Sequence, residues 1–439
     1  MKERFIKSTI ILIIGGGITK ILGMVIRICM TRLAGLEGIS LYMLVNPTFS
    51  LFMTMSQFSL PNSVAKVVAE DKYNNKKLVL GAIPLTLVLN IMLIIIIILA
   101  APFITTYLLK DPRCYLPILA IALVLPFDAI SSVIRGYFFG KQKMLPHVLS
   151  NILEQIVRLT LILWITPSLM KTSVTNAVTW FIMVNVFSES LSITILYFFL
   201  PKKIKIEKED FIPQKEEVKD LLQISIPTTT GRLISSLSYF LEPIILTLCL
   251  TKAGYKNEFI TTEYGVITGY ALPMLALPNF FTGAISSALL PVLTKEYARK
   301  NKKELKKKLQ LGIFFSLLIG IPVTILLVTV PTLFLKLIYH TSHGANYLRI
   351  LAPIFLLSYI EAPLGTLLQA TNRASKLMVY NLCGVILKTM TLFLTCFLKI
   401  GLYPLVIALS VNTLLTTFLH LREAKKILTS SGSSRPFRF

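Results

Sequence analysis

Charged residues are scarce in this chain of 439 residues, at 15% of the total. Soluble domains usually carry about 25% charged residues. This scarcity argues against an ordinary cytosolic enzyme, a nucleic-acid-binding domain and a disordered chain. Cysteine is also rare, with five residues, no CxxC pair and four of the five inside apolar runs. Small buried thiols are therefore favoured over a disulfide framework or a metal site.

Motifs of soluble catalysis are missing as well. The sequence contains no GxxxxGK[ST] phosphate-binding loop and no HExxH zinc motif, and its four histidines are scattered. Such motifs place backbone amides or imidazoles around a phosphate or a metal ion. We therefore expect neither an enzyme, nor a metal site, nor an organic cofactor.

Long apolar runs are what the sequence has in abundance. Hydrophobic types make up 54% of the residues, and the mean hydropathy is +0.72. A membrane-spanning helix needs about 20 apolar residues, so the chain predicts an all-α polytopic membrane protein with about 12 transmembrane helices. The first run lacks a small-residue cleavage site before Lys20, which favours a retained helix over a removed signal peptide. The predicted helices are 6–33, 39–68, 78–108, 115–139, 147–167, 176–200, 218–250, 259–293, 309–337, 346–371, 376–397 and 402–421.

The two halves of the chain resemble each other. The segment Asn151–Arg158 and the segment Asn381–Lys388 both run from Asn to a cation, in the fifth helix of each half. The second half is offset from the first by six helices, an even number that restores the same orientation, so the repeats are parallel and related by an axis along the membrane normal. The predicted parts are an N-terminal six-helix lobe at 1–200, a basic cytoplasmic linker at 201–220, a C-terminal six-helix lobe at 221–422 and a cytoplasmic tail at 423–439.

Positive charge dominates, with 45 Lys and Arg against 21 Asp and Glu and a net charge of +24. Twenty-nine of these cations fall in the termini and alternate loops on one side, and seven fall in the opposite loops. Cytoplasmic loops carry the excess of Lys and Arg in membrane proteins. The protein is therefore predicted to lie in the cell membrane with both termini in the cytoplasm. No nucleic acid is needed to explain the positive charge.

The remaining nine cations lie inside predicted helices, together with six acids. A cation at a helix centre costs on the order of 2.5–3.5 kcal/mol to insert, so it usually faces a partner or a watery cavity. Arg158 lies four residues after Glu154, and an intrahelical ion pair is one explanation for it. Arg135 lies seven residues after Asp128, and pairing between them is another.

Four of the embedded cations lack such an explanation. Lys20 and Arg27 are seven residues apart on one helical face, with no acid in that helix. Arg232 and Lys388 also lack an acid on their own faces. We predict that Lys20, Arg27, Arg232 and Lys388 line a central cavity and bind an anionic headgroup.

Several short motifs are distinctive: Arg32–Tyr42, Leu241–Ile244, Thr262–Tyr270, Leu272–Pro273, Leu277–Pro278 and Ser286–Pro291. They resemble the stage V sporulation protein B group within the multidrug, oligosaccharidyl-lipid and polysaccharide flippase superfamily. The resemblance covers most of the chain. It implies a MATE-like fold of two six-helix lobes in a V shape, alternating access, and export of a lipid-linked saccharide that bears a pyrophosphate. Relatives of the MurJ type place essential cations in the central cavity, and Lys20 and Arg232, with Arg27, match them.

The expected function is that of a secondary transporter that flips an anionic lipid-linked saccharide, such as a lipid II-like cell-wall or spore-cortex precursor. The expected partners are this lipid, membrane lipids and cell-wall synthesis enzymes. Na⁺ or H⁺ coupling would use Asp128, Glu242 and Glu361. Two alternatives stay open: a MATE-type exporter of organic cations, which would prefer an acidic cavity, and a non-transporting membrane scaffold of a wall-synthesis complex.

Overall fold

The computed structural model of the chain describes residues 2–200, 208–211 and 214–429. Residues 201–207 and 212–213 of the predicted linker and the tail from residue 430 onward lie outside the described residues. No strand occurs within these described ranges, so the predicted all-α class is confirmed. The helices are α1 Lys2–Gln57, α2 Leu60–Glu70, α3 Asn75–Phe103, α4 Tyr115–Gly140, α5 Met144–Thr172, α6 Val174–Phe198, α7 Lys215–Lys252, α8 Asn257–Gly265, α9 Leu272–Leu275, α10 Leu277–Ala298, α11 Lys302–Thr329, α12 Pro331–Tyr339, α13 Ala345–Ala370, α14 Ala374–Thr395 and α15 Tyr403–Thr429.

Eleven helices in the described part of the chain are long and apolar enough to cross a membrane. The first of these stretches, Ile14–Glu70, has 57 residues and breaks at Gly35, where φ is +63°. Glycine adopts this left-handed conformation without the steric cost that a Cβ imposes. At 1.5 Å per residue the stretch is about 85 Å long, enough for two crossings of a hydrocarbon layer about 30 Å thick. The total of about 12 crossings stays a prediction.

Two predicted helices are interrupted by proline. The range 259–293 is divided into α8, a π-helical turn Val266–Ala271, α9 and α10, with Pro273 and Pro278 in the first turns of the last two. The range 309–337 is divided after Thr329, and Pro331 opens α12. Proline lacks the N–H that would continue a helix and is favoured in its first turn. The prediction of 309–337 as one uninterrupted helix was therefore wrong.

The chain separates into two compact units, residues 1–269 and residues 270–439. In the first unit α4 is central and packs against α2, α3 and α6, while α1 packs against α5, α7 and α8. Ile118, Ile121 and Leu125 of α4 are fully buried. The helix therefore supplies the core against which the more exposed helices of this unit pack. The predicted boundaries at 201–220 stay a prediction.

In the second unit α13 is central and packs against α10, α11 and α15, while α14 packs against α15. Tyr359 of α13 is fully buried, and its hydroxyl donates a hydrogen bond of 2.8 Å to the carbonyl oxygen of Leu275. On the outside of both units large apolar side chains are exposed, with Leu99 at 74% and Trp164 at 77% in the first unit. Such surfaces suit lipid rather than water.

Candidate functional site

Lys20 lies beside a cavity of about 290 Å³ between α1 and α5 in the first unit. His147 and Asn151 of α5 line the same cavity. Helices α1 and α5 approach each other closely here. A Cβ at Gly15 would lie only 2.1 Å from a methyl carbon of Val148, so the approach requires glycine at this position. Among the described residues that line the cavity there is no carboxylate. Lys20 is exposed and forms no ion pair with any described residue, so its charge is available to a ligand.

Arg27 lies beside a second cavity, of about 280 Å³, together with Arg158. One Nη of Arg27 donates a hydrogen bond of 2.9 Å to the carbonyl oxygen of Thr268 and contacts the sulfur of Met43 at 3.5 Å. Its Nε is buried without a hydrogen-bond partner in the described part of the protein, and the same holds for Nε of Arg158. No carboxylate is among the described residues lining this cavity. The arrangement can accept an anion.

Arg158 also belongs to a buried network of charges within the first unit. Its guanidinium donates to Glu154 at 2.7 Å, which confirms the predicted intrahelical ion pair. Arg135 donates to Glu154 at 2.7 Å and lies 3.3 Å from Glu189. The pairing of Arg135 with Asp128 was a wrong prediction. Asp128 and Arg135 are about two turns apart on α4. The carboxylates that Arg135 contacts belong instead to Glu154 of α5 and Glu189 of α6.

Arg232 and Asp128 are linked through one side chain, Gln57 at the end of α1. An Nη of Arg232 donates to Oε1 of Gln57 at 3.1 Å, and Nε2 of Gln57 donates to Oδ1 of Asp128 at 3.2 Å. Asp128 is 3% exposed, whereas Arg232 is exposed. The structure thus connects a predicted headgroup-binding cation with a predicted coupling acid inside one unit.

The other predicted coupling acids have neutral partners. Glu242 of α7 accepts a hydrogen bond of 3.1 Å from the hydroxyl of Tyr264. Glu361 of α13 accepts hydrogen bonds from Thr416 at 2.6 Å and Thr417 at 2.7 Å. Hydroxyl donors stabilise a carboxylate without neutralising its charge. Both carboxylates can therefore approach a cation.

The four predicted headgroup cations do not share one site within a unit. Lys20 and Arg27 line different cavities, Arg232 contacts Gln57, and Lys388 is a half-buried residue of α14 in the second unit. Their assignment to a common substrate site stays a prediction. Gln57 was missed, because a neutral side chain near a helix end carries no signal in the sequence.

The fold and the cavities define a class before any relative is considered: an all-helical, multi-pass membrane protein with polar cavities inside its units. Residues 5–296 match the family described as polysaccharide biosynthesis protein, and residues 267–394 match the family described as MatE. The first match covers more than half of the chain. The protein therefore belongs to the polysaccharide biosynthesis protein family.

Individual relatives agree with this assignment. Stage V sporulation protein B of Bacillus subtilis (strain 168) is 36% identical over 98% of this chain and 85% of its own length. Lipid II flippase MurJ of the same organism is 24% identical over 88% of this chain and 76% of its own length. The resemblance to the stage V sporulation protein B group is thus confirmed.

A solved structure shows the same fold. It is the inward-facing conformation of a multidrug resistance MATE family transporter of the MOP superfamily, with a TM-score of 0.71, 15% identity and 94% coverage of both chains. The MATE-like fold is therefore confirmed. The protein is a multi-pass membrane protein of the polysaccharide biosynthesis protein family with a MATE-like fold.

Proposed function

We propose that this protein is a flippase that moves an anionic lipid-linked saccharide across the cytoplasmic membrane by alternating access. The observation that carries the proposal is the lining of the two cavities along α1. Lys20 faces one of them, Arg27 and Arg158 face the other, and no carboxylate is among their described lining residues. Guanidinium and ammonium groups in a membrane protein favour an anionic ligand such as a pyrophosphate.

The names of the relatives support the same class of substrate. One matched family is described by polysaccharide biosynthesis, and one relative is a lipid II flippase. A lipid II-like precursor is therefore the first substrate to test. The similarity to a stage V sporulation protein supports a role in sporulation. In this proposal the protein is a carrier and not an enzyme, and cell-wall synthesis enzymes deliver or receive its lipid.

Energy for transport would come from the membrane potential or from Na⁺ or H⁺. Asp128, Glu242 and Glu361 are the proposed coupling residues, because each is an acid inside the predicted membrane region with neutral hydrogen-bond donors close by. The excess of Lys and Arg in alternate loops supports cytoplasmic termini. In that orientation the lipid-linked saccharide enters from the cytoplasmic leaflet.

A translocation assay in proteoliposomes tests the proposal. Lipid II and a neutral lipid would be offered to the unaltered protein and to Lys20→Ala, Arg27→Ala and Arg232→Ala, after gel filtration has shown that each variant is folded. Arg299→Ala is the control, since the Arg299 side chain is 62% exposed. We expect selective translocation of lipid II that falls at least tenfold in the three variants and is unchanged in the control.

Different results would favour the alternatives. A scaffold predicts no translocation of lipid II under any imposed potential or ion gradient, and no effect of neutralising Lys20 or Arg232. An organic-cation exporter predicts transport of ethidium and none of lipid II. Either result with a folded protein would contradict the flippase.

A further inference from the structure

The second unit contains a polar cavity of its own, of about 520 Å³. Helices α10, α13, α14 and α15 form it. Hydrogen-bonding side chains from all four helices line it, among them Asn279, Ser286, Glu361, Asn381 and His420. None of the four cations predicted to bind the headgroup is among its described lining residues, so the cavity serves a different part of a ligand.

Two of these side chains are buried without a hydrogen-bond partner among the described residues. His420 is 2% exposed, and neither of its ring nitrogens has a hydrogen-bond partner among the described residues. Ser286 is 9% exposed, and its hydroxyl also lacks a described partner. Buried polar groups are nearly always hydrogen-bonded in native proteins, because leaving one unsatisfied is costly. Both groups line the cavity and are therefore positioned to bond to what enters it.

The lining does not suit a charged ligand that fills the cavity. Its one carboxylate, Glu361, already accepts hydrogen bonds from Thr416 and Thr417 through the same oxygen. A coupling cation at Glu361 would be held by oxygens at about 2.3–2.6 Å and would fill only a small part of the cavity of about 520 Å³, which leaves room for a larger ligand. No Lys or Arg belongs to the described lining, so an anion lacks a counter-charge.

Amides, hydroxyls and a neutral imidazole are both donors and acceptors. This mixture matches a neutral ligand that is rich in hydroxyl and amide groups. We propose that the cavity binds the saccharide of the lipid-linked substrate. The inference rests on the proposed flippase function and names which part of the substrate the second unit recognises.

The predicted orientation supports a role early in transport. Gln369 lies near the end of α13, Asn381 near the start of α14 and His420 in the second half of α15. With cytoplasmic termini, these positions are in the cytoplasmic half of their helices. The cavity therefore meets the saccharide on the side where a lipid-linked precursor begins its transfer.

Two lipids that differ only in the sugar test the inference. Undecaprenyl diphosphate and undecaprenyl diphosphate that carries one N-acetylglucosamine would be bound to the full chain in detergent, with affinity measured by microscale thermophoresis. The variants are His420→Phe and Asn381→Leu. The control is Ser410→Ala on α15, since the hydroxyl of Ser410 donates to the carbonyl oxygen of Val406 in its own helix at 2.7 Å.

We expect the unaltered protein to bind the sugar-bearing lipid more tightly than the bare lipid. Each cavity variant should weaken binding of the sugar-bearing lipid about tenfold, the scale of one or two lost hydrogen bonds, and change binding of the bare lipid less than twofold. The control should bind both lipids normally. Asn381 is exposed on α14, so Asn381→Leu keeps the test valid if His420→Phe does not fold.

Equal affinity of the unaltered protein for the two lipids would overturn the inference. So would an equal loss of both affinities in a folded cavity variant. These outcomes are distinct from failure of the flippase proposal, which would be translocation that is absent or independent of Lys20 and Arg27. A protein that translocates the bare lipid as well as the sugar-bearing one remains a flippase but refutes the saccharide cavity.

Discussion

The guanidinium of Arg27 on α1 donates a hydrogen bond of 2.9 Å to the carbonyl oxygen of Thr268, in the π-helical turn that follows α8. Thr268 is itself held by a hydrogen bond of 2.6 Å from its hydroxyl to the carbonyl oxygen of Tyr264. A π-turn widens the helix locally and often marks a functional site. The contact fixes one edge of the guanidinium, while its buried Nε is left without a described partner beside the cavity.

The first prediction concerns this geometry. Arg27→Lys retains the positive charge, but its ammonium donates from a single nitrogen and cannot reproduce the guanidinium, in which one Nη holds the carbonyl of Thr268 while Nε lies beside the cavity. We expect Arg27→Lys to weaken binding of undecaprenyl diphosphate about tenfold, and Arg27→Met to weaken it further. Microscale thermophoresis on the purified protein measures both affinities.

Arg299→Lys is the matched control. The side chain of Arg299 is exposed, and its ion pair with Glu296 is weak, with 3.8 Å between the charged atoms. It should bind the lipid like the unaltered protein. If Arg27→Lys binds equally well, a single positive charge suffices and the geometry around Thr268 is irrelevant to the ligand.

The second prediction concerns the buried charges of the first unit. Arg135→Met leaves Glu154 with one cationic partner and Glu189 without its ion pair. Both acids are buried, at 5% exposure, so water cannot replace the lost partner. Breaking a buried ion pair typically costs about 3–5 kcal/mol. We expect a large fall in the unfolding temperature in detergent. Adding Glu189→Gln should recover part of it, since a neutral amide is less costly to bury.

Lys141→Met is the control for that experiment, because Lys141 follows the end of the same helix and its partner Asp71 is exposed. Surface ion pairs contribute little to stability. Its unfolding temperature should stay close to that of the unaltered protein. A similar unfolding temperature for Arg135→Met would show that the network does not stabilise the unit.

These cases also show which features the sequence can reveal. The pair Glu154–Arg158 was predictable because residues four apart meet on one helix, and the mean hydropathy together with the apolar runs was enough for an all-helical membrane fold. The partners of Arg135 were not predictable, because they come from α5 and α6 and depend on how those helices pack. His420 gave no signal, since a lone histidine in an apolar helix is not distinctive until α10, α13 and α14 surround it.

The third prediction concerns the link from Arg232 through Gln57 to Asp128. Gln57→Leu removes both hydrogen bonds and keeps a side chain of similar size, so we expect lipid II translocation to fall about tenfold without loss of fold. Groups in one hydrogen-bond network show coupling energies of about 0.5–3 kcal/mol in double-mutant cycles. The effects of Gln57→Leu and Asp128→Asn on the translocation rate should therefore be non-additive. Strictly additive effects would mean that Gln57 does not connect Asp128 with Arg232.

The fourth prediction concerns the contact between α1 and α8 at Gly265. A Cβ at this position would lie 2.2 Å from the hydroxyl oxygen of Ser40 and 2.4 Å from its Cα. Because one of the opposing atoms is backbone, α8 must move away from α1 to accept even a methyl group. Overpacking of this kind typically costs about 1–3 kcal/mol. We expect Gly265→Ala to lower the unfolding temperature, and Ser40→Gly not to restore it fully, because the clash with the backbone remains.

Gly16→Ala is the matched control within α1, because nothing lies within 4 Å of a Cβ at Gly16. Alanine is also favoured over glycine inside a helix by roughly 1 kcal/mol. This variant should therefore be at least as stable as the unaltered protein in the same thermal unfolding experiment. Because the two substitutions add the same methyl group, a difference between them reports the packing at Ser40 and not a general effect of alanine. Equal stability of Gly265→Ala and Gly16→Ala would show that α8 can shift from α1 at no cost.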